Sequence, residues 1–213
     1  MALVLLATGC TGDGKKESAA ARESLQVCQE ALGADDIETL DVKLGGDMHT
    51  ESRPSPDLRR AMLKAARAWN PDSDKNALRD VFPRCVLKWD SGGKVNAVVN
   101  GTVRWSTVSL DMARRGVAHW GKVADDIYVA PIGGYGHSMV VPCEVADTAS
   151  GQRAQLLVET QLWGSGLENA DPALRARMLA SFGRDMQKLL DCASSPRIPD
   201  GLRLPETSLA GPA

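Results

Sequence analysis

The sequence predicts an α+β fold: an antiparallel sheet with helices packed on one face, held by two disulfides. Three observations carry this. Both ends of the chain show apolar residues at helical spacing, the middle shows alternating apolar and polar segments, and one cysteine falls in each terminal helix and one in each of two strand segments. A chain of 213 residues with 43% hydrophobic residues can build one real core. Its 25 basic and 27 acidic residues leave a formal net charge of -2, which argues against a nucleic-acid binder. No apolar run reaches the roughly 20 residues that span a bilayer.

The helices come first. Residues 17 to 32 place Ala21, Leu25, Cys28 and Leu32 on one stripe. Ser55-Pro56-Asp57 opens a second helix with Leu58, Met62, Ala65 and Trp69 inward, and Asn70-Pro71 ends it. A short helix is expected from Ser73 through Leu78 to Phe82. Asp171 caps a last helix begun by Pro172, with Leu174, Met178, Phe182, Met186, Leu189 and Leu190 at helical spacing.

The strands follow from alternation. Cys85, Leu87 and Trp89 share one face, and Met139, Val141, Cys143 and Val145 share another. A third strand is expected at Ala154, Leu156, Val158, Thr160 and Leu162. The chain also echoes itself: Cys85 to Trp105 and Cys143 to Trp163 have equal spacing, with Gly93 against Gly151 and Thr102 against Thr160. This suggests a duplication into halves of about 22–120 and 121–193 within one domain, 22–193. Asn100-Gly101 would ordinarily mark a hairpin turn, but the echo sets Glu159 against Gly101 in mid-strand, so a bulge is expected there.

The N-terminus sets the compartment. Ala7-Thr8-Gly9-Cys10 closes a short apolar run. It resembles the lipobox of bacterial lipoproteins, although the leader is short, lacks a basic residue, and sets Leu6 one place further from the cysteine than is usual. The resemblance implies that residues 1–9 are a signal remnant and that Cys10 carries lipid. Its partner is then the outer face of the cell membrane, to which the protein is anchored. Residues 10–21 are small, polar and charged, as a tether would be. Abundant Ala, Arg, Gly and Asp with scarce Ile and Phe make the whole similar to actinobacterial lipoproteins.

Apart from Cys10, the cysteines are Cys28, Cys85, Cys143 and Cys192, an even number that in an exported protein reads as two disulfides. None lies in a C-x-x-C pair, which argues against zinc. Three pairings exist. Helix-to-sheet staples, one per half, favour Cys28–Cys85 and Cys143–Cys192. Residues 194–213 are rich in Pro, Gly and Ser and are expected to be a loose tail.

Chemistry is sparse. The sequence lacks G-x-S-x-G, H-E-x-x-H, Walker A and G-x-G-x-x-G motifs, so no catalytic residue, metal or cofactor is expected. His49 lies with Asp47 and Glu51 in what reads as a Gly-rich, solvated loop. His137 and Ser138 are adjacent and would point to opposite faces of a strand, so they form no dyad by themselves. The candidates for a ligand-facing surface are Tyr135 and His137, in a segment with three glycines, and Trp163, which falls on the opposite face from Leu162. Arg59, Arg60, Lys64 and Arg67 give one helix a basic face. The expectation is a non-catalytic, extracytoplasmic module that binds a small ligand or an envelope protein. The alternative is an extracellular hydrolase using His137 or His119.

Overall fold

A computed structural model describes residues 18–71 and 80–205. The elements are α1 (Ala19–Leu32), α2 (Ala34–Leu44), β1 (Asp47–Ser52), α3 (Ser55–Ala68), β2 (Phe82–Ser91), β3 (Lys94–Trp105), α4 (Leu110–Arg114), β4 (Gly121–Ala124), β5 (Ile127–Pro131), β6 (His137–Val141), α5 (Gln152–Gln155), β7 (Val158–Trp163) and α6 (Pro172–Leu190). The seven strands form one sheet in the order β1-β2-β3-β7-β6-β5-β4, every pair antiparallel. No helix among the described residues is long and apolar enough to cross a membrane.

The core lies between one face of the sheet and α1, α3 and α6. Cys85, Leu87, Trp89, Val99, Val103 and Trp105 point into it from β2 and β3, as the alternation requires. Leu32 of α1 and Phe182 of α6 approach Gly101, where an added Cβ would stand 3.6 and 3.4 Å from them. The glycine in mid-strand is thus where the two main helices seat on the sheet. The bulge is present but belongs to the partner strand: Pro83 pairs with Thr102 and Cys85 with Gly101, leaving Arg84 as the extra residue.

α1 and α6 are capped by Ser18 and Asp171, whose side chains accept from the amides of Ala21 and Leu174. Two disulfides tie this layer to the sheet side, Cys28–Cys85 and Cys143–Cys192. They span 57 and 49 residues, and in the loop-entropy picture each closure stabilises by about 4 kcal/mol.

Several expectations are corrected. Residues 34–44, unassigned by pattern, form α2, whose Ile37 and Leu40 are buried. The His49 segment is not a loop but edge strand β1, paired along its whole length with β2. Of the short helix expected from Ser73 to Phe82, residues 72–79 lie outside the described residues, and Phe82 begins a strand. The strand expected through Cys143 and Val145 stops at Val141, and Ala154 sits in α5 rather than in a strand.

The two Cys-to-Trp segments therefore differ. The first is a hairpin, whereas the second crosses a turn and a short helix before β7. The helix arises because Gln152 is drawn inside: its amide donates to the carbonyls of Cys143 and Leu156 and accepts from the Val145 N–H. Helix α1 begins at Ala19, within the stretch read as tether. In the segment read as a loose tail, Ile198 and Leu202 are buried against the core.

Candidate functional site on the open face of the sheet

The register decides what the second face of the sheet carries. Arg104 pairs with Glu159 and Thr102 with Gln161 across β3 and β7, and Val140 and Ser138 face Glu159 and Gln161 from β6. One end of this face is roofed by α4, where Leu110, Ala113 and Trp120 pack on Tyr128, Val140 and Leu157 as a small second core. Beyond that roof the face becomes polar.

Glu159 is the centre of the polar strip and is 2% exposed. Its carboxylate accepts from Arg104 Nε at 2.9 Å and Nη2 at 2.7 Å, from Ser138 Oγ at 2.8 Å and from Gln161 Nε2 at 2.7 Å. Burial by itself would push its pKa up. The hydrogen bonds and charge of Arg104, followed by Ser138 and Ser106, together outweigh that and hold it below the ordinary carboxylate value. Glu159 is therefore a charged, saturated anchor, and it fixes a guanidinium whose side chain remains 28% exposed.

Trp163 ends the same strip. Two residues along a strand cover roughly 7 Å, so its Cα lies about 13 Å from that of Glu159 on the same face. Four tryptophans are buried: Trp69, Trp89, Trp105 and Trp120. Two of these spend their indole N–H internally, Trp89 on Asp41 Oδ1 at 2.7 Å and Trp105 on the Met62 carbonyl at 2.9 Å. Trp163 instead is 43% exposed. Its seat is tight on both sides. A Cβ at Gly136 would come within 2.9 Å of Trp163 Cβ, and one at Gly164 within 2.1 Å of the Val98 carbonyl oxygen. The glycine-rich segment and Trp163, separate features in the sequence, thus meet where Gly136 passes close to the Trp163 Cβ.

The other two ligand-facing candidates lie on the opposite side of the sheet. His137 pairs with Leu162, which points into the core, so His137 shares the helix side while Trp163 does not. The His137 ring is 3% exposed, with Nε2 3.2 Å from the Pro205 carbonyl oxygen. Burial lowers its pKa, only partly opposed by the Pro205 hydrogen bond, and the charge of Arg175 lowers it further. Tyr135 is half-buried under the Arg175 guanidinium, whose carbon stands 5.2 Å from the ring centroid. Tyr135 and His137 are thus brought together, around Arg175, and Trp163 is not with them.

His119 is exposed in a turn of left-handed backbone, φ 64°. Ser138, on the Glu159 strip, faces away from His137, so the hydrolase alternative finds no dyad at that pair. His49 bonds Asp90 at 2.7 Å. No group of three or more His, Cys, Asp or Glu among the described residues could hold a metal ion. On the helix side a cleft of about 570 Å³ runs past Glu30, Arg84, Arg184, Asp185 and Lys188.

Fold and site together define a two-disulfide α+β domain with one helix-covered face and one partly open, polar, tryptophan-tipped face. No family model, no curated protein and no solved structure matches the chain.

Proposed function

We propose that this chain is an extracytoplasmic lipoprotein, anchored in the membrane through Cys10, that acts as a non-catalytic binding module of the cell envelope. The open sheet face around Trp163 is its recognition surface. The observation that carries this reading is the contrast among the tryptophans: four are packed inside and one is exposed on the partly open face, which also presents, about 13 Å further along the strands, an arginine fixed by a buried carboxylate. Tryptophan and arginine are the side chains most enriched where binding energy concentrates, and a rigid one loses little entropy on capture. The two disulfides support an oxidising compartment, and the Ala7-Thr8-Gly9-Cys10 run supports the anchor.

The test has two arms. Intact mass of the N-terminal peptide of the native protein should show an acylated Cys10. A panel of soluble cell-wall glycan fragments and envelope peptides should contain a compound that raises the melting temperature, and Trp163→Ala should weaken that compound's binding by a factor of ten or more (about 2 kcal/mol at a hot spot). A free Cys10 thiol would sink the anchor. A ligand bound equally well by Trp163→Ala would sink the assigned face.

A further inference from the structure

Helix α3 carries Arg59, Arg60, Lys64 and Arg67, all exposed, around Pro56 and Leu63. At about 100° per residue the four cations fall within an arc of about 140°. Together the six residues line a shallow groove of about 680 Å³. Asp57 takes Arg60 at 3.0 Å, and Asp147 lies 3.8 Å from Arg67. The Nε of Arg59 is spent on the Leu189 carbonyl, a neutral partner. Four cations against two carboxylates leave two positive charges in surplus (4 − 2 = 2) on a chain whose formal net charge is -2.

The position of this stripe is as telling as its charge. α1 runs antiparallel to α6. Leu32, the last residue of α1, meets Phe182 over Gly101, Asp36 in the first turn of α2 bonds Arg177 near the start of α6, and Glu30, earlier in α1, shares a cleft with Asp185 and Lys188 in the later part of α6. Followed backwards, α1 therefore begins at the end of the domain where α6 finishes. α3 occupies that same end, bonded to Leu189 and, through Arg67, to the Ala146 carbonyl. Eight peptide steps separate Cys10 from Ser18, a reach of no more than about 29 Å whatever their conformation. A lipid at Cys10 would therefore keep the start of α1, at the α3 end of the domain, within about 29 Å of the bilayer. Trp163 sits at the other end of β7 from Val158, which pairs with Trp105 on the α3 side.

We propose that the basic stripe of α3 lies on anionic lipid headgroups of the membrane that bears the anchor, standing the domain with α3 down and Trp163 directed away from the bilayer. The orientation rests on the anchor reading above, but the attraction is a property of the folded domain and can be measured without the lipid. Each cation brought to an anionic surface contributes about fivefold in partitioning, and the effect falls with salt.

The experiment uses the full chain carrying Cys10→Ser, with both disulfides formed, and vesicles of phosphatidylcholine with or without phosphatidylglycerol. Sedimentation should show binding only to the anionic vesicles, lost at high salt. Arg60→Glu with Lys64→Glu should lower the partition coefficient at least tenfold without changing the melting temperature. Lys94→Glu with Arg115→Glu, an equal change of net charge elsewhere, should leave it within a factor of two. Equal binding to both vesicles, an Arg60/Lys64 variant that binds like the parent, or a matching loss in the Lys94/Arg115 variant would overturn the proposal. A free Cys10 in the native protein, found by mass, would remove the anchor while leaving the vesicle result standing, so the two failures are distinguishable.

Discussion

Arg84 and Asp185 form a two-point ion pair at the base of the helix-side cleft, with Nε to Oδ2 at 2.9 Å and Nη2 to Oδ1 at 3.2 Å. Arg84 is the bulged residue of β2, and its Nη1 also donates to Ser55 Oγ and to the Arg53 carbonyl. One side chain therefore ties β2, the entry to α3 and the later part of α6. The guanidinium is 1% exposed, so it depends wholly on these partners. Asp185→Ala should destabilise the fold by about 3–5 kcal/mol, because it leaves a buried charge unpaired. The double variant Arg84→Met with Asp185→Leu should cost much less. Denaturant unfolding of the two variants checks this, and equal losses would show that the pair is not the unit.

His137 makes stability depend on acidity. Its folded pKa is lowered from 6.5, so below about pH 6.5 the unfolded chain binds a proton that the folded one refuses. Stability is complete above that pH and declines as the pH falls toward the folded value. Denaturation midpoints between pH 8 and pH 5 should drop for the parent. His137→Gln should flatten that limb, since burial beside Arg175 is what penalises the charged ring. An unchanged pH profile in the variant would refute this.

Gly164 holds the chain where β7 leaves the sheet, at φ 135°. A methyl group there would meet the Val98 carbonyl oxygen at 2.1 Å, and this is backbone that cannot swing aside. Next to it, Ser165 Oγ accepts from the Val98 N–H at 3.2 Å. Gly164→Ala should cost about 2 kcal/mol or more and should raise the quenching of Trp163 by acrylamide, as the indole loses its fixed seat. A variant with parental stability and quenching would show that the strand end tolerates a shift.

Much of the frame was legible because local rules were decisive. Asp171-Pro172 opens α6 as a cap followed by a first-turn proline. The stripes read for α1 and α3 contain their buried Cys28, Leu32, Leu58 and Met62, though Ala21, Leu25 and Ala65 are only half-buried. The favoured cysteine pairing is the observed one, but only Cys28–Cys85 joins helix to strand: Cys192 lies just past α6 and Cys143 just past β6. α2 was missed although Ile37, Leu40 and Leu44 stand at helical spacing between Gly33 and Gly45, because four acidic residues (Asp35, Asp36, Glu38 and Asp41) dominate this short stretch. β1 was missed because an edge strand with one half-buried face, Met48, Thr50 and Ser52, shows almost no hydrophobic alternation. The equal Cys-to-Trp spacing predicted two like hairpins, but Gln152 found buried hydrogen bonds that made α5 instead.

The sequence by itself determined the α+β class, the main helices α1, α3 and α6, that four thiols would pair, and that Trp163 would leave the face of Leu162, while it only favoured one of three pairings that the structure then settled. These follow from spacing of 3.6 and 2 residues and from the need to bury apolar stripes. Only the tertiary structure decided that Glu159, an ordinary polar position in an alternating strand, would be buried under Arg104, Ser138 and Gln161, and that His137 and Tyr135 would be parted from Trp163 by the thickness of the sheet. Pairing of strands distant in sequence sets those neighbours, and no local pattern encodes which strand will lie beside which.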